Sequence, residues 1–423
     1  MDERPGGSRA GGRAWLLGAM GAGLLLRLFW MVFASPVPVS DYGKFRELAQ
    51  DLFLHGQFGW PEPTAYRFPA YPAFLAAAMH VSTSDGWLRF IDVLLSAALV
   101  PAAYVLARRL ANGDRRYGLV AAWVTALNPA FVFWAPILAS EHPFALLTFV
   151  GLALLARPGG ARPPALALSG ACLGLASLTR GEGLFQVPTF LLTAWLVAPG
   201  ATWGRRLRDA AVVLLPVLLI VGAWMLRNRA ELGPGAGVST SGGVNFYMGH
   251  GQSQYGYQPD TGTPFEGMSE TAGQAKAYGM SFDALRRDPM RFPKDVAIGT
   301  WEQYRPGAYA VSWSARLPRA APGAMYPEKR IPGRRFFSWI QVLGYAALCL
   351  LALAALFLRR RIPLAAWLVP VSLALWNWVC YAVVFNASSR YRYLGEAAFG
   401  LLAAGALVVV WDTLASREAR VTR

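Results

Sequence analysis

The sequence is poor in charged residues. Aspartate, glutamate, lysine and arginine make up 15% of its 423 residues, against roughly a quarter in typical soluble proteins. Hydrophobic residues supply 55% of the chain and the mean hydropathy is +0.34. This composition argues against a soluble multi-domain enzyme and favours a membrane protein.

Cysteine is also scarce. Cys172, Cys349 and Cys380 all lie inside apolar segments and none lies in a hydrophilic loop, so neither a disulfide framework nor a CxxC zinc site is predicted. The sequence contains no HExxH, Walker A or GxSxG motif, which removes the signatures of zinc proteases, P-loop enzymes and serine hydrolases.

Long apolar runs are abundant. A helix of about 20 residues crosses the ~30 Å hydrocarbon core of a bilayer. The candidate spans are residues 14–34, 86–107, 117–134, 140–156, 164–179, 183–199, 210–227, 336–358, 362–385 and 394–412. The first is too long for a signal peptide and lacks a convincing A-x-A cleavage site, so we interpret it as a retained helix. The sequence predicts an all-α polytopic membrane protein with about ten transmembrane helices.

The net charge of +16 comes largely from arginines that cluster between these runs. Topology explains such clusters better than nucleic-acid binding does. They lie within residues 4–13, 108–116, 157–162, 205–208, 359–361 and 417–423. With an even number of spans, all of them fall on the cytoplasmic side. We expect a multi-pass protein of the inner (plasma) membrane with both termini cytoplasmic.

This topology divides the chain into three parts. Residues 1–227 form an N-terminal transmembrane module whose first outer loop is residues 35–85. Residues 228–335 form a large extracytoplasmic loop, and residues 336–423 form the C-terminal transmembrane helices and a cytoplasmic tail.

Both outer loops contain predicted interfacial helices. Residues 42–54 can form a short amphipathic helix, and residues 70–79 are apolar but too short to cross the bilayer. Residues 281–304 predict one or two amphipathic helices broken at Pro289 and Pro293.

Ionisable residues collect at the outer ends of the spans. Such groups are costly at a bilayer and usually face a cavity. They are Asp41, Arg67, Glu141, Arg180, Glu182, Arg390 and Arg392, with Tyr66, His142 and Asn245 in neighbouring positions. Arginines can hold a phosphate and a carboxylate can deprotonate a hydroxyl, so the set suits group transfer from a phosphate-bearing lipid.

Structural roles compete with this interpretation. Asp41 and Glu141 can act as helix-terminus carboxylates, and Arg180 can pair with Glu182 in a turn. Asn245 lies in a glycine-rich stretch and can serve turn geometry. A further expectation is an intramembrane ion pair between residues 89 and 92, an arginine and an aspartate three apart on one helix.

Several short motifs resemble one family. They are Asp41 after the first helix, residues 66–72 (YRFPAYP), residues 140–141 (SE), residues 178–182 (LTRGE) and residues 242–250 (GGVNFYMGH). In their order and common side they resemble the bacterial GT-C glycosyltransferases, nearest the protein-mannosyltransferase and aminoarabinose-transferase group called family 39.

The resemblance implies a polyprenyl-phosphate monosaccharide donor, inverting transfer and a catalytic carboxylate in the first outer loop, which maps onto Asp41. Many relatives carry two adjacent acidic residues there, whereas this chain has Tyr42 next. The implied enzyme uses Asp41 as general base, with Glu141 as the second catalytic candidate. The candidates for the donor phosphate are Arg67, Arg180, Arg390 and Arg392, and those for substrate binding are Tyr66, His142, Glu182 and Asn245.

Alternatives remain open at this point. A transporter or flippase of a lipid-linked sugar would use the same basic cavity without chemistry. A membrane acyltransferase would need a histidine base, for which His142 and His80 are the candidates. A divalent metal held by Asp41, Glu141 and His142 is a further hypothesis. The sugar, the acceptor (a lipid, a glycan or a protein) and the oligomeric state are not readable from the sequence.

Overall fold

A computed structural model describes residues 9–252, 255–256, 264–265, 267–319 and 326–421. Within these ranges the chain forms eighteen α-helices and no β-strand, apart from an isolated bridge between Arg316 and Glu328. The all-α prediction is therefore confirmed. Arg4 of the first predicted arginine cluster and Arg423 of the last lie outside the described residues.

The N-terminal part contains eleven of the described helices. They are α1 (Arg9–Ala34), α2 (Asp41–His55), α3 (Ala70–Met79), α4 (Asp85–Leu110), α5 (Arg115–Leu127), α6 (Pro129–Trp134), α7 (Glu141–Leu155), α8 (Pro163–Thr179), α9 (Glu182–Phe185), α10 (Val187–Leu196) and α11 (Trp203–Leu232). The predicted helix at residues 42–54 and the apolar segment at 70–79 correspond to α2 and α3.

The remaining helices belong to the second outer loop and the C-terminal part. They are α12 (Gly242–His250), α13 (Glu270–Arg287), α14 (Arg291–Tyr304), α15 (Tyr309–Ala315), α16 (Arg334–Phe357), α17 (Leu364–Trp378) and α18 (Tyr393–Val421). A π-helical turn, Val379–Val384, follows α17, and a 3₁₀ turn, Ser389–Arg392, precedes α18.

Six helices in the described part of the chain are long and apolar enough to cross a membrane. They correspond to the predicted spans at 14–34, 86–107, 210–227, 336–358, 362–385 and 394–412. The other four predicted spans are short or broken helices: α5 with α6, α7, α8, and α9 with α10. The polytopic class is confirmed, while the number ten stays a prediction.

The break between α5 and α6 has a local cause. Pro129 has no backbone N–H and disfavours a helical conformation at Asn128. The Asn128 side chain instead caps α6 by accepting a hydrogen bond from Ala130 N at 2.9 Å. The carbonyl groups freed at the end of α5 accept hydrogen bonds from the fully buried guanidinium of Arg27 in α1. A charged side chain inside a transmembrane helix is thereby satisfied by the end of a neighbouring helix.

The ion pair predicted between Arg89 and Asp92 is wrong. Asp92 is buried and accepts hydrogen bonds from the Tyr71 hydroxyl at 2.8 Å and from Ala139 N at 3.0 Å. Arg89 donates to the carbonyl of Pro36 at 3.0 Å. The two side chains therefore leave α4 toward different neighbours, and Asp92 ties α3 to the segment before α7.

The two loops that the sequence predicts to be outer loops are joined by hydrogen bonds. Glu270, at the start of α13, accepts from the Thr64 hydroxyl at 2.5 Å, from Ala65 N at 3.0 Å and from the Thr240 hydroxyl at 2.6 Å. The backbone of Thr240 also donates to Ala65 O at 3.0 Å. Residues near position 65 and residues near position 240 thus form one surface above the spans.

The amphipathic helices predicted at 281–304 are present, with a different start. The first begins at Glu270, and the chain breaks once, near Pro289. Pro293 does not break α14, because it lies in the first turn, where the missing N–H has no intrahelical partner. Phe282, Ile298 and Trp301 are 49%, 44% and 63% exposed. These exposed apolar faces suit contact with the membrane surface, while the position of this loop on the outer side stays a prediction.

We expect α13 and α14 to resist proteolysis in intact, correctly oriented vesicles. Two hydrogen bonds hold α14 against α17. Trp378 donates to the Thr300 hydroxyl at 2.9 Å, and Gln303 donates to Asn377 Oδ1 at 2.8 Å. Trypsin should cut slowly after Arg287, and heat-unfolded protein is the control for cleavable sites. Rapid cleavage between α13 and α14 in the native vesicles would contradict this prediction.

Candidate active site

The carboxylate of Asp41 is bonded by two arginines. Arg67 Nη2 lies 2.5 Å from its Oδ1 and Arg390 Nη2 lies 2.7 Å from its Oδ2. Asp41 opens α2, and Ser40 before it has a φ of 56°, a conformation that costs a non-glycine residue about 1–3 kcal/mol. Three segments that are distant in sequence are thus held together by one carboxylate.

Two tyrosines support the guanidinium of Arg390. Its Nη1 donates to the Tyr42 hydroxyl at 3.0 Å and its Nη2 donates to the Tyr391 hydroxyl at 2.8 Å. The Tyr42 ring is fixed by edge-on packing against Trp134 and Trp313, with centroids 5.6 and 5.2 Å away. The position of the Arg390 guanidinium is therefore fixed by the two tyrosines as well as by Asp41.

A second charged cluster surrounds Arg180, in the turn between α8 and α9. Its Nη1 lies 2.9 Å from Glu141 Oε1 and its Nε lies 3.7 Å from Glu182 Oε2. Its Nη2 donates to the Tyr381 hydroxyl at 2.6 Å. The other oxygen of Glu182 accepts from Asn377 Nδ2, also at 2.6 Å. Residues of α7, α9 and the π-helical turn are thus linked through one guanidinium.

The two clusters differ in electrostatics. Burial alone would raise the pKa of Asp41, but the guanidinium groups of Arg67 and Arg390 outweigh it and hold this pKa well below its usual range. At the second cluster two carboxylates, Glu141 and Glu182, share the single guanidinium of Arg180. Asp41 is therefore ionised at neutral pH and faces an excess of positive charge, whereas the second cluster has an excess of carboxylates.

Both clusters line one cavity of about 300 Å³, the lower end of the range for ligand pockets. Of the ten predicted site residues, eight line it: Asp41, Tyr66, Arg67, Glu141, Arg180, Glu182, Asn245 and Arg390. The apolar residues Leu184, Phe185, Cys380 and Phe385 also line it, and the last three belong to one hydrophobic cluster. The cavity therefore combines charged and apolar side chains.

Two predicted residues are not brought to the cavity. His142 is fully buried and bonds Tyr393 Oη at 3.0 Å and Trp134 O at 3.2 Å. The proposed metal set of Asp41, Glu141 and His142 is therefore not assembled. No group of three or more His, Cys, Asp or Glu side chains able to hold a metal occurs among the described residues.

Arg392 is the second residue placed elsewhere. Its Nε donates to Glu396 Oε1 at 2.7 Å, and its Nη1 donates to Arg305 O at 2.6 Å. The Arg392 and Glu396 side chains are 0% and 1% exposed. Arg392 thus joins α18 to the segment after α14, which leaves Arg390 as the cavity arginine of this pair.

Sequence reasoning missed several residues that shape the site. Tyr42 was noted only as a departure from the acidic pair of relatives, although its position next to Asp41 was a usable signal. Tyr381 and Tyr391 stack at 4.5 Å on the cavity wall. Asn377 was detectable as a polar residue inside an apolar span, where side-chain hydrogen bonds between helices are common.

Comparison with known proteins gives several matches. Residues 63–226 match the family described as dolichyl-phosphate-mannose-protein mannosyltransferase. The undecaprenyl phosphate-alpha-4-amino-4-deoxy-L-arabinose arabinosyl transferase 2 of Pseudomonas fluorescens (strain Pf0-1) is 24% identical over 234 residues, which is 49% of this chain and 40% of that protein. The chain therefore spans well under two thirds of this relative.

Solved structures give a match over nearly the whole chain. The archaeal oligosaccharyltransferase AglB from Archaeoglobus fulgidus, solved with an inhibitory peptide and a dolichol-phosphate, superposes with a TM-score of 0.56 at 16% identity. The match covers 96% of this chain and 51% of AglB. ArnT from Cupriavidus metallidurans, solved bound to undecaprenyl phosphate, has a TM-score of 0.44 at 17% identity, covering 93% of this chain and 78% of ArnT.

The chain has a GT-C fold. The resemblance inferred from the short motifs is thereby confirmed. The family match includes Arg67, Glu141, Arg180 and Glu182, but not Asp41 or Arg390. The cavity is thus built from the matched region together with α2, residues 238–245, Tyr278 and residues 380–391.

Proposed function

We propose that this protein is an integral-membrane glycosyltransferase that moves a monosaccharide from a polyprenyl-phosphate donor to an extracytoplasmic hydroxyl. The observation that carries the proposal is the convergence of Asp41, Arg67, Arg180 and Arg390 in one cavity that is also lined by apolar side chains. Guanidinium groups suit a phosphate and apolar side chains suit a prenyl chain. The relatives whose names include undecaprenyl phosphate or dolichol-phosphate support the same class of donor.

The proposed reaction has one demanding step, which is activation of the acceptor. Asp41 takes the proton of the acceptor hydroxyl while the acceptor oxygen attacks the anomeric carbon. The bond between this carbon and the phosphate oxygen breaks, and the polyprenyl phosphate leaves with the electron pair. Attack on the face opposite the phosphate inverts the anomeric configuration. Glu141 is the second carboxylate, held by Arg180 and placed to contact the sugar.

The arginines have a corresponding role. Arg67, Arg180 and Arg390 neutralise the phosphate and stabilise the negative charge that it gains as the glycosidic bond breaks. Tyr66, Glu182 and Asn245 line the same cavity and are proposed to contact substrate. In this proposal the active site opens to the extracytoplasmic side. The topology inferred from the arginine clusters puts the segments that carry the lining residues on that side.

Arg390→Ala is expected to weaken binding of undecaprenyl phosphate by about 1.5–3 kcal/mol, the range for hydrogen bonds to charged groups. Affinity is measured with purified protein in nanodiscs. The matched control is Arg89→Ala, which removes an arginine bonded to backbone outside the cavity. Equal affinity of the Arg390→Ala variant and the wild type would remove Arg390 from the donor site.

A flippase of lipid-linked sugars would also bind the lipid phosphate. A single observation distinguishes the two functions, because only the transferase cleaves the donor. Release of undecaprenyl phosphate from a sugar-linked donor by purified protein supports the transferase. Movement of intact donor across the bilayer without release supports the flippase.

A further inference from the structure

The proposed general base, Asp41, forms ion pairs with two of the arginines proposed to bind the phosphate. Each oxygen of Asp41 contacts one arginine, at 2.5 Å for Arg67 and 2.7 Å for Arg390. A carboxylate bonded in this way has little tendency to take a proton, and an arginine bonded in this way has fewer donors for a phosphate. Asp41 and a phosphate would therefore compete for the same two arginines.

The arginines keep some capacity for a second anion. Arg67 Nε is buried and has no hydrogen-bond partner among the described residues. Arg390 stays anchored by Tyr42 and Tyr391 when its bond to Asp41 is lost. The two guanidinium groups can therefore change partner without leaving the cavity.

The local charge favours such a change. The two guanidinium groups and the carboxylate of Asp41 that contact one another carry together one unit of net positive charge. A phosphodiester brings one negative charge. The complex of two arginines, one carboxylate and one phosphodiester is neutral, so the phosphate can enter while Asp41 remains ionised.

We propose that Asp41 stands in for the donor phosphate in the donor-free protein, and that the arriving phosphate takes over Arg390 and Arg67 and releases Asp41 as a free carboxylate. This inference rests on the proposed function, because it takes the ligand to be a polyprenyl phosphate. Release of the arginines removes the interaction that depresses the pKa of Asp41, which makes the carboxylate a stronger base.

The exchange sets an order of events. Without donor, Asp41 is paired with the two arginines and an acceptor hydroxyl is not activated. With donor bound, the same step that positions the phosphate frees the base. Donor binding therefore precedes acceptor activation.

The test is a set of affinities for undecaprenyl phosphate in nanodiscs. Removal of the competing carboxylate should help the lipid, so Asp41→Asn is expected to bind about tenfold more tightly than the wild type. Asp41→Glu keeps the competing charge and should show no such gain. Glu141→Gln also removes one negative charge from the cavity, but Glu141 contacts Arg180 and not Arg390. Its gain in affinity for the lipid should therefore be clearly smaller.

Arg390→Gln completes the set. The gain caused by Asp41→Asn should shrink in the Arg390→Gln background, because part of that gain comes from freeing Arg390. If Asp41→Asn binds equally or more weakly while Arg390→Gln still weakens binding, the exchange is wrong and the proposed function stands. If the wild type does not bind undecaprenyl phosphate, the proposed function fails and the exchange fails with it.

A structure of the wild type with undecaprenyl phosphate gives a test that needs no variant. The exchange predicts a phosphate oxygen within hydrogen-bond distance of Arg390 and loss of the contact between Arg390 and Asp41. Retention of that contact at about its present 2.7 Å with the phosphate bound would overturn the proposal.

Discussion

Asp41→Asn is expected to lower the rate of sugar transfer by about 10²–10⁴, the usual cost of losing a general base. The phosphate leaves as a stable anion and needs little help, so activation of the acceptor hydroxyl carries most of the barrier. Asparagine keeps the shape of the side chain and removes its basicity. The variant should fold and should bind the polyprenyl phosphate at least as tightly as the wild type, which separates loss of chemistry from loss of structure.

Glu141→Gln is the matched control for this variant. It also neutralises a cavity carboxylate, but Glu141 is held by Arg180 at 2.9 Å and is 3% exposed. Its rate should fall less than that of Asp41→Asn in a single-turnover assay with saturating donor. Turnover of Asp41→Asn within a few-fold of the wild type would move Glu141 into the role of the base.

Arg392→Ala is expected to destabilise the protein by about 3–5 kcal/mol, the cost of leaving a buried charge unpaired. Glu396 is 1% exposed and loses its arginine partner in this variant. The carbonyl groups of Arg305 and Gly307 lose a donor as well. Thermal unfolding in detergent or nanodiscs measures the effect, and refolded or residual native protein should bind undecaprenyl phosphate normally.

The double variant Arg392→Met with Glu396→Leu is the control, since a buried ion pair replaced by apolar side chains is often neutral in stability. It should recover most of the stability lost by Arg392→Ala. An Arg392→Ala variant with unchanged thermal stability and weaker lipid binding would return Arg392 to the donor site predicted from the sequence.

Neighbouring polar residues of one motif have side chains that point in different directions. The sequence alone does not show which of them faces the cavity. Arg390 and Arg392 lie in a 3₁₀ turn with three residues per turn, so side chains two apart point in different directions. Glu141 and His142 are about 100° apart on α7, which turns His142 toward α18 when Glu141 faces the cavity. The choice between such neighbours depends on the helices that pack around them.

The convergence itself was predictable. Clusters of arginine orient the spans, and the orientation brings Asp41, Arg67, Arg180 and Arg390 to one side. What the hydropathy pattern did not reveal is where helices break. Pro129 ends α5 within a continuous apolar run, and only the neighbouring Arg27 shows how the freed carbonyl groups are satisfied.

The contacts of Arg89 and Asp92 show a related limit. A spacing of three residues on a helix allows an ion pair, but Tyr71 and Ala139 offer Asp92 two hydrogen bonds. These partners come from α3 and from the segment before α7, which are distant in sequence. Competition of this kind is visible only when the tertiary packing is known.

The central claim is transfer of a sugar from a polyprenyl phosphate in the cavity around Asp41. The most direct measurement uses purified protein in liposomes with a panel of undecaprenyl-phosphate-linked monosaccharides and follows free undecaprenyl phosphate by mass spectrometry. Our account predicts release from at least one donor by the wild type in the presence of membrane acceptors, and a loss of about 10²-fold or more in Asp41→Asn. Transfer of intact donor between the leaflets, with no undecaprenyl phosphate released by the wild type from any donor, would contradict it.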